Sequence, residues 1–169
     1  AEAYNNRGKV LLFGFDENEA ALSDFRRGME LKPRFYEAMY NVGLIYASQK
    51  EFPKAIDFFS KAIRLNKNND DYFTSRGIAY YRLDLFDSAI SDLDTALIIN
   101  PENIKALKYR ANSYSKLKEF NLAVEDIEKA LALDSLSYWL WNRRGILHGE
   151  LHEEEMALAD YTKAIELSP

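Results

Sequence analysis

The sequence of 169 residues contains no cysteine. That excludes disulfides and thiolate-bound metals, and it leaves the redox compartment open, because a chain without cysteine suits either side of a membrane. Histidine is nearly absent too. His148 and His152 are the only two imidazoles, so chemistry built on histidine has little to work with. No apolar run approaches the ~18 residues that cross a bilayer, and neither a signal-peptide pattern nor a glycine-rich phosphate loop is present. Lys and Arg total 22 against 27 Asp and Glu, a net charge of −5, which argues against a nucleic-acid footprint.

What the chain does have is internal repetition. Gly43, Gly77, Ala111 and Gly145 stand 34 residues apart, with Gly8 falling 35 before Gly43. Two alanine series keep the same interval: Ala55, Ala89, Ala123, Ala157 and Ala62, Ala96, Ala130, Ala164. A fixed period in three independent series marks a stacked-repeat architecture. Rings recur with it, at Tyr46, Tyr80, Tyr114 and again at Phe52, Phe86, Phe120. In residues 36–50, Met39, Gly43 and Tyr46 share a helical stripe, so a notch lies beside a knob. A mid-helix glycine costs about 1 kcal/mol relative to alanine. Close packing must offset that cost.

Gly43, Tyr46, Phe52, Ala55, Phe59 and Ala62 together resemble the signature of the tetratricopeptide repeat, and Pro33, Pro101 and Pro169 match its closing proline. The resemblance covers the whole chain in five copies, approximately 1–33, 36–67, 70–101, 104–135 and 138–169. It implies a single all-α domain over 1–169: a right-handed superhelical solenoid of ten helices in five antiparallel pairs, whose first helices line a concave groove. The function it implies is that of a non-enzymatic protein-interaction scaffold or adaptor, without cofactor, metal or catalytic residue. Units of this kind touch only their neighbours.

In the first unit FGFDENEA carries one residue more than its counterparts, which places an insertion in the inter-helix turn. Pro53 suits the start of a helix, and Asn68-Asn69-Asp70-Asp71 supplies N-capping side chains. The last unit puts His148 where the others have tyrosine. His148 and His152 lie four apart and superficially suit a metal, but a structural substitution is the reading preferred here. The last helix offers Leu158, Tyr161 and Ile165 with nothing to cover them. The expectation is a piece cut from a longer protein, or a homo-oligomer formed through uncapped ends.

Arg7, Arg76, Arg110 and Arg144 precede the small residue in four units, and those units carry Asp24, Asp92, Asp126 and Asp160 on the second helix. The remaining unit has Val42 and Phe58 instead. Charge is present as a pair or absent as a pair, which predicts an Arg–Asp bridge between the helices of each such unit. If partly exposed, each would contribute about 0–1 kcal/mol.

The binding residues expected on the groove face fall into two halves. Tyr40, Asn41, Leu44, Ile78, Tyr81 and Arg82 make an apolar, aromatic half. Lys105, Lys108, Tyr109, Asn112, Lys116, Trp139 and Arg143 make a basic one. A basic patch on an acidic chain selects a protein or peptide bearing an acidic segment or a free carboxylate, with no nucleic acid and no membrane insertion. The related family branch that clamps an acidic C-terminal tail is matched poorly: its groove positions hold Asn5, Lys9, Asn41, Asp71 and Ser75, and only Asn41 fits. A co-chaperone-like arm is therefore the alternative. An RNA-binding helical repeat ranks below both, since a basic face along every unit is missing.

Overall fold

The computed structural model describes residues 1–168; Pro169, the last of the expected closing prolines, lies outside them. The described residues form ten helices and no strand: α1 Glu2–Gly14, α2 Asn18–Leu31, α3 Tyr36–Ser48, α4 Phe52–Leu65, α5 Asp70–Arg82, α6 Phe86–Ile99, α7 Ile104–Lys116, α8 Phe120–Leu133, α9 Tyr138–Glu150 and α10 Glu154–Leu167. None is long and apolar enough to cross a membrane. The chain divides into two compact units, Ala1–Asp84 with α1 to α5, and a second from Leu85 with α6 to α10.

In the first unit α1 packs on α2, α2 on α3, α3 on α4 and α4 on α5; in the second the same succession runs from α6 to α10. The notches explain the fit. An ideal Cβ on Gly43 would stand 2.6 Å from the Phe59 ring, one on Gly8 2.7 Å from Phe25, and one on Gly145 2.9 Å from Tyr161. Those rings occupy the space that a side chain would need. Each core follows from it: Ala55, Phe59 and Ala79 in the first unit, Ala123, Ile127 and Ala130 in the second, all buried.

The turns that follow the first helix of each repeat contain a residue in the left-handed region, Asp16, Lys50, Asp84, Lys118 and His152, with φ between 56° and 62°. None is glycine. This conformation lets the amide three residues past the helix fold back: Glu51 N–H reaches the Tyr46 carbonyl, Glu119 that of Tyr114, and Glu153 that of His148, each five residues back. In α1 the equivalent bond runs from Glu17 to Leu11, six back. The extra residue of the first unit thus sits at the C-terminal junction of α1, where it widens the closing loop. Asn69 and Asn103 cap α5 and α7, accepting from the amides of Tyr72 and Ala106, and Pro53 lies in the first turn of α4, where a missing N–H costs least.

The arginines do more than the pairing pattern predicts. Arg7 forks Asp24 with two bonds of 2.6 Å. Arg110 forks Asp126 at 2.7 and 2.6 Å, and Arg144 forks Asp160 at 2.9 and 2.8 Å. Each inner arginine also reaches back to the helix before it: Arg110 to Asp94 at 2.6 Å, Arg144 to Glu128 at 3.7 Å, and Arg76 to the Ser60 hydroxyl at 2.8 Å. Every one of these second partners precedes its arginine by 16 residues. The guanidinium of Arg110, like that of Arg144, therefore ties two successive second helices, as its planar array of five donors permits. In the second repeat Val42 is buried within an apolar cluster and Phe58 packs against it.

The carboxylate ends of these bridges are buried: Asp24, Asp126 and Asp160 are each at most 4% exposed. They are buried carboxylates that depend on their arginines. The bond from Arg7 holds the Asp24 carboxyl below its ordinary range, against the opposing pull of burial. A carboxyl depressed in the folded state adds stability above its unfolded pKa of about 4 and loses it as pH falls through the folded value. The stability gap between the native chain and Asp24→Asn should accordingly shrink from pH 7 to pH 3 in urea melts; a constant gap would show that the pair carries no proton linkage.

Candidate functional site

The groove residues expected in the first unit divide by their surroundings. Tyr40 of α3 is half-buried, with its ring 5.6 Å from Phe59 and 4.6 Å from Tyr72 and its hydroxyl 3.1 Å from the Ser75 hydroxyl. Burial raises its phenol pKa, the Ser75 bond working the other way. Tyr72 is pushed further up, again mainly by burial. Leu44 packs against the Ala55–Phe59–Ala79 cluster but is not sealed within it. Asn41 is buried, 5% exposed, and its amide donates to Asn5 Oδ1 at 3.0 Å, so it joins α3 to α1.

Ile78 and Arg82 of α5 line an open cavity of about 510 Å³ together with the C-terminal end of α3, Lys50 of the following turn, and Phe52 at the start of α4. Tyr81 is half-buried on the same helix. Helical periodicity does not point to Ser48, Lys50 or Phe52, which lie at or beyond the end of α3. The one signal for them was the recurring Phe52 series.

In the second unit α7 carries no acidic residue over its 13 positions. Lys105 and Lys116 are exposed and Lys108, Tyr109 and Asn112 half-buried. Among the described residues no carboxylate pairs with Lys105, Lys108 or Lys116. Lys108 instead lies over the Trp139 ring of α9, with its ammonium 4.0 Å from the centroid. Arg143 is half-buried on α9. The neighbouring Trp141 donates to the Ser135 carbonyl at 2.8 Å and lies 4.8 Å beneath Arg144. The cation over an aromatic face keeps its charge available to a ligand while its stem is held in place.

His148 takes the tyrosine position as expected. It is buried, with Nδ1 2.6 Å from Glu153 and Nε2 3.6 Å from Asp160. His152 is exposed in the turn, away from it. Among the described residues no three His, Cys, Asp or Glu side chains come together as a metal site.

Ten helices of alternating length, notched and keyed at one interval, define an all-α helical-repeat protein of the solenoid class. The sequence profile of the tetratricopeptide repeat matches residues 36–69, 110–135 and 140–169, together just over half of the chain. The chain belongs to the tetratricopeptide repeat family. It is 34% identical over 77 residues to human Tetratricopeptide repeat protein 6, a match that covers 45% of this chain and 14% of that protein, so it spans about a seventh of the relative's length. Among solved structures it is similar to MamA, residue 41 to the end, from Desulfovibrio magneticus RS-1. The TM-score is 0.91 at 19% identity, covering 98% of this chain and 93% of that one. YrrB, described as a TPR protein with an unusual peptide-binding site, gives a TM-score of 0.84 at 24% identity over 98% and 85%. At these identities the likeness concerns the fold alone. The general role carried by the family is that of a protein-interaction scaffold.

Proposed function

We propose that the chain binds a polypeptide partner on the faces of its first helices, and that the α7–α9 face selects an acidic segment. The observation that carries this reading is the set of three lysines, Lys105, Lys108 and Lys116, which have no carboxylate partner among the described residues of a chain of net charge −5. An acidic chain has acids to spare for internal pairing. Leaving one helix purely basic keeps its field for a ligand, steering a negative partner and adding affinity where aromatic side chains bury apolar contact area beside it. Trp139 and Tyr109 supply that area. The peptide-binding site ascribed to YrrB supports a peptide as ligand on this fold.

The test is fluorescence polarisation with three labelled dodecapeptides, rich in Asp and Glu, in Ser and Gly, or in Lys. The acidic peptide should bind most tightly and lose affinity between 50 and 200 mM salt, as exposed charge pairs do. Lys105→Glu with Lys108→Glu should weaken it by about tenfold, since like charges now face it. Equal binding of all three peptides would remove the charge argument. A gel-shift assay with single-stranded RNA should give no complex; a shift of comparable affinity would favour the RNA-binding alternative.

A further inference from the structure

Two faces of the molecule are the separate halves of a contact that the chain makes internally. Where a second helix meets the first helix of the following repeat, its apolar side chains are covered: Ile56 of α4 packs with Ala79 of α5, and Val124 and Leu131 of α8 pack with Leu140 and Leu147 of α9. The counterparts of Val124 and Leu131 on α10 are Leu158 and Ile165, and these are 68% and 72% exposed. The other half lies bare on α1. Val10 holds the place of Ile45, Ala79, Ser113 and Leu147, none of them more than 1% exposed, yet is itself 57% exposed. Ala3, the counterpart of the buried Ala38, Ala106 and Leu140, is exposed as well.

The polar part of the contact is divided in the same way. Arg76, Arg110 and Arg144 each reach a side chain 16 residues back, on Ser60, Asp94 and Glu128. Arg7 gives Nε and Nη2 to Asp24, and its Nη1 has no hydrogen-bond partner among the described residues. Thr162 of α10 stands in the place of Ser60, Asp94 and Glu128. It is exposed, and its hydroxyl donates to the Leu158 carbonyl at 2.8 Å. Its oxygen can therefore accept from a guanidinium, as the Ser60 hydroxyl does from Arg76.

We infer that copies of this chain associate head to tail, the α10 face of one seating the α1 face of a second. Leu158 and Ile165 meet Ala3 and Val10, and Arg7 donates to Thr162. A second copy is the occupant because three registered places must match at once, small, cationic and apolar, and α1 carries all three in the order that α3 to α9 use internally. The faces are also recessed: Ala3 and Arg7 line an open cavity of about 260 Å³, and Tyr161, Ala164 and Ile165 line one of about 390 Å³. Unlike patches meet in such a contact, so it extends or closes as a ring and does not stop at a two-fold dimer. It is small, and belongs to the weak, transient class. It uses neither α7 nor its lysines, and stands apart from the peptide reading.

Sedimentation velocity of the 169-residue chain should give an average mass that climbs above 19.6 kDa between about 10 μM and 1 mM, the range in which small contacts act. Val10→Asp and Ile165→Asp, both at exposed places, should each stay monomeric. An equimolar mixture of the two should recover a 1:1 pair, because the α10 face of the first and the α1 face of the second remain intact. Ala3→Arg replaces Val10→Asp in the mixture if that variant loses helical circular dichroism. Thr162→Glu, which copies Glu128, should tighten association of the otherwise native chain by about fivefold or more, since the bond from Arg7 becomes charge-assisted. A mass fixed at 19.6 kDa over the whole range overturns the inference. Self-association of Val10→Asp alone also overturns it, by showing that α10 faces pair with each other, and so does failure of the mixture to pair.

Discussion

Arg110→Ala is expected to lower the melting temperature by about 10 °C, the largest loss for any single charged side chain in the molecule. Asp126 is 1% exposed and receives two of the guanidinium's bonds, while a third goes to Asp94. Removing one partner of a buried pair leaves the other charge uncompensated and costs about 3–5 kcal/mol, and 1 kcal/mol moves the transition of a chain of this size by about 2–4 °C. Lys129, whose ammonium lies 3.9 Å from Asp126 on the exposed side, softens the loss and sets the expectation toward the lower end. Burial alone would favour losing the proton from Arg110, but the bonds and charges of Asp126 and Asp94 outweigh it and hold the guanidinium protonated.

The comparison that isolates this mechanism is Arg7→Ala. Arg7 makes the same fork to Asp24, but its side chain is 67% exposed against 16% for Arg110 and has no second carboxylate behind it. Its removal should cost much less. Arg110→Lys should behave nearly as badly as alanine, because an ammonium cannot hold three directed bonds on two helices. Calorimetry on the three variants decides the matter: equal losses for Arg7→Ala and Arg110→Ala would mean that the bridge to the preceding helix contributes nothing.

The own-repeat half of this network could be read from the sequence, because Arg and Asp appear or vanish together in the second repeat. The reach to the preceding repeat could not, although Ser60, Asp94 and Glu128 also recur at 34. Their types differ, and only a geometry that shows the guanidinium facing two helices reveals that a hydroxyl and two carboxylates do one job. The turns hid for a related reason. Left-handed backbone normally announces itself with glycine or asparagine, whereas here Asp16, Lys50, Asp84, Lys118 and His152 adopt it without that signal. The bond between Asn41 and Asn5 is hidden from the sequence because the two stand 36 residues apart, off the repeat interval. The lysines of α7 were legible from charge alone, since helical spacing and the absence of acids need no coordinates. The cavity of the first unit needed them, because a helix end, a turn and the start of the next helix contribute walls that no single periodicity contains.

The second large effect concerns the notch. Phe59→Ala should cost about 3–5 kcal/mol, the usual range for emptying a fully buried ring, since Phe59 is wholly buried between the Gly43 notch and Ala55. Gly43→Ala attacks the same contact from the other side. Its new methyl would stand 2.6 Å from two ring carbons, nearer than carbon atoms approach without displacement, so overpacking of about 1–3 kcal/mol competes with about 1 kcal/mol gained in helix propensity. The chain contains its own comparison. Gly8, Gly43 and Gly145 each face a ring, whereas Ala111 shares its cluster with Ile127; in the third repeat, which has Gly77, the ring's place in the sequence is taken by Leu93, so an aliphatic residue there goes with either notch. Gly43→Ala combined with Phe59→Ile reproduces the pairing of the fourth repeat and should be more stable than the sum of the single changes by about 1 kcal/mol or more, as for residues in direct contact. A double-mutant cycle by urea denaturation measures it. Strict additivity would show that glycine is present for reasons other than the ring, and that the alternation of small and large residues is not what lets successive helices nest.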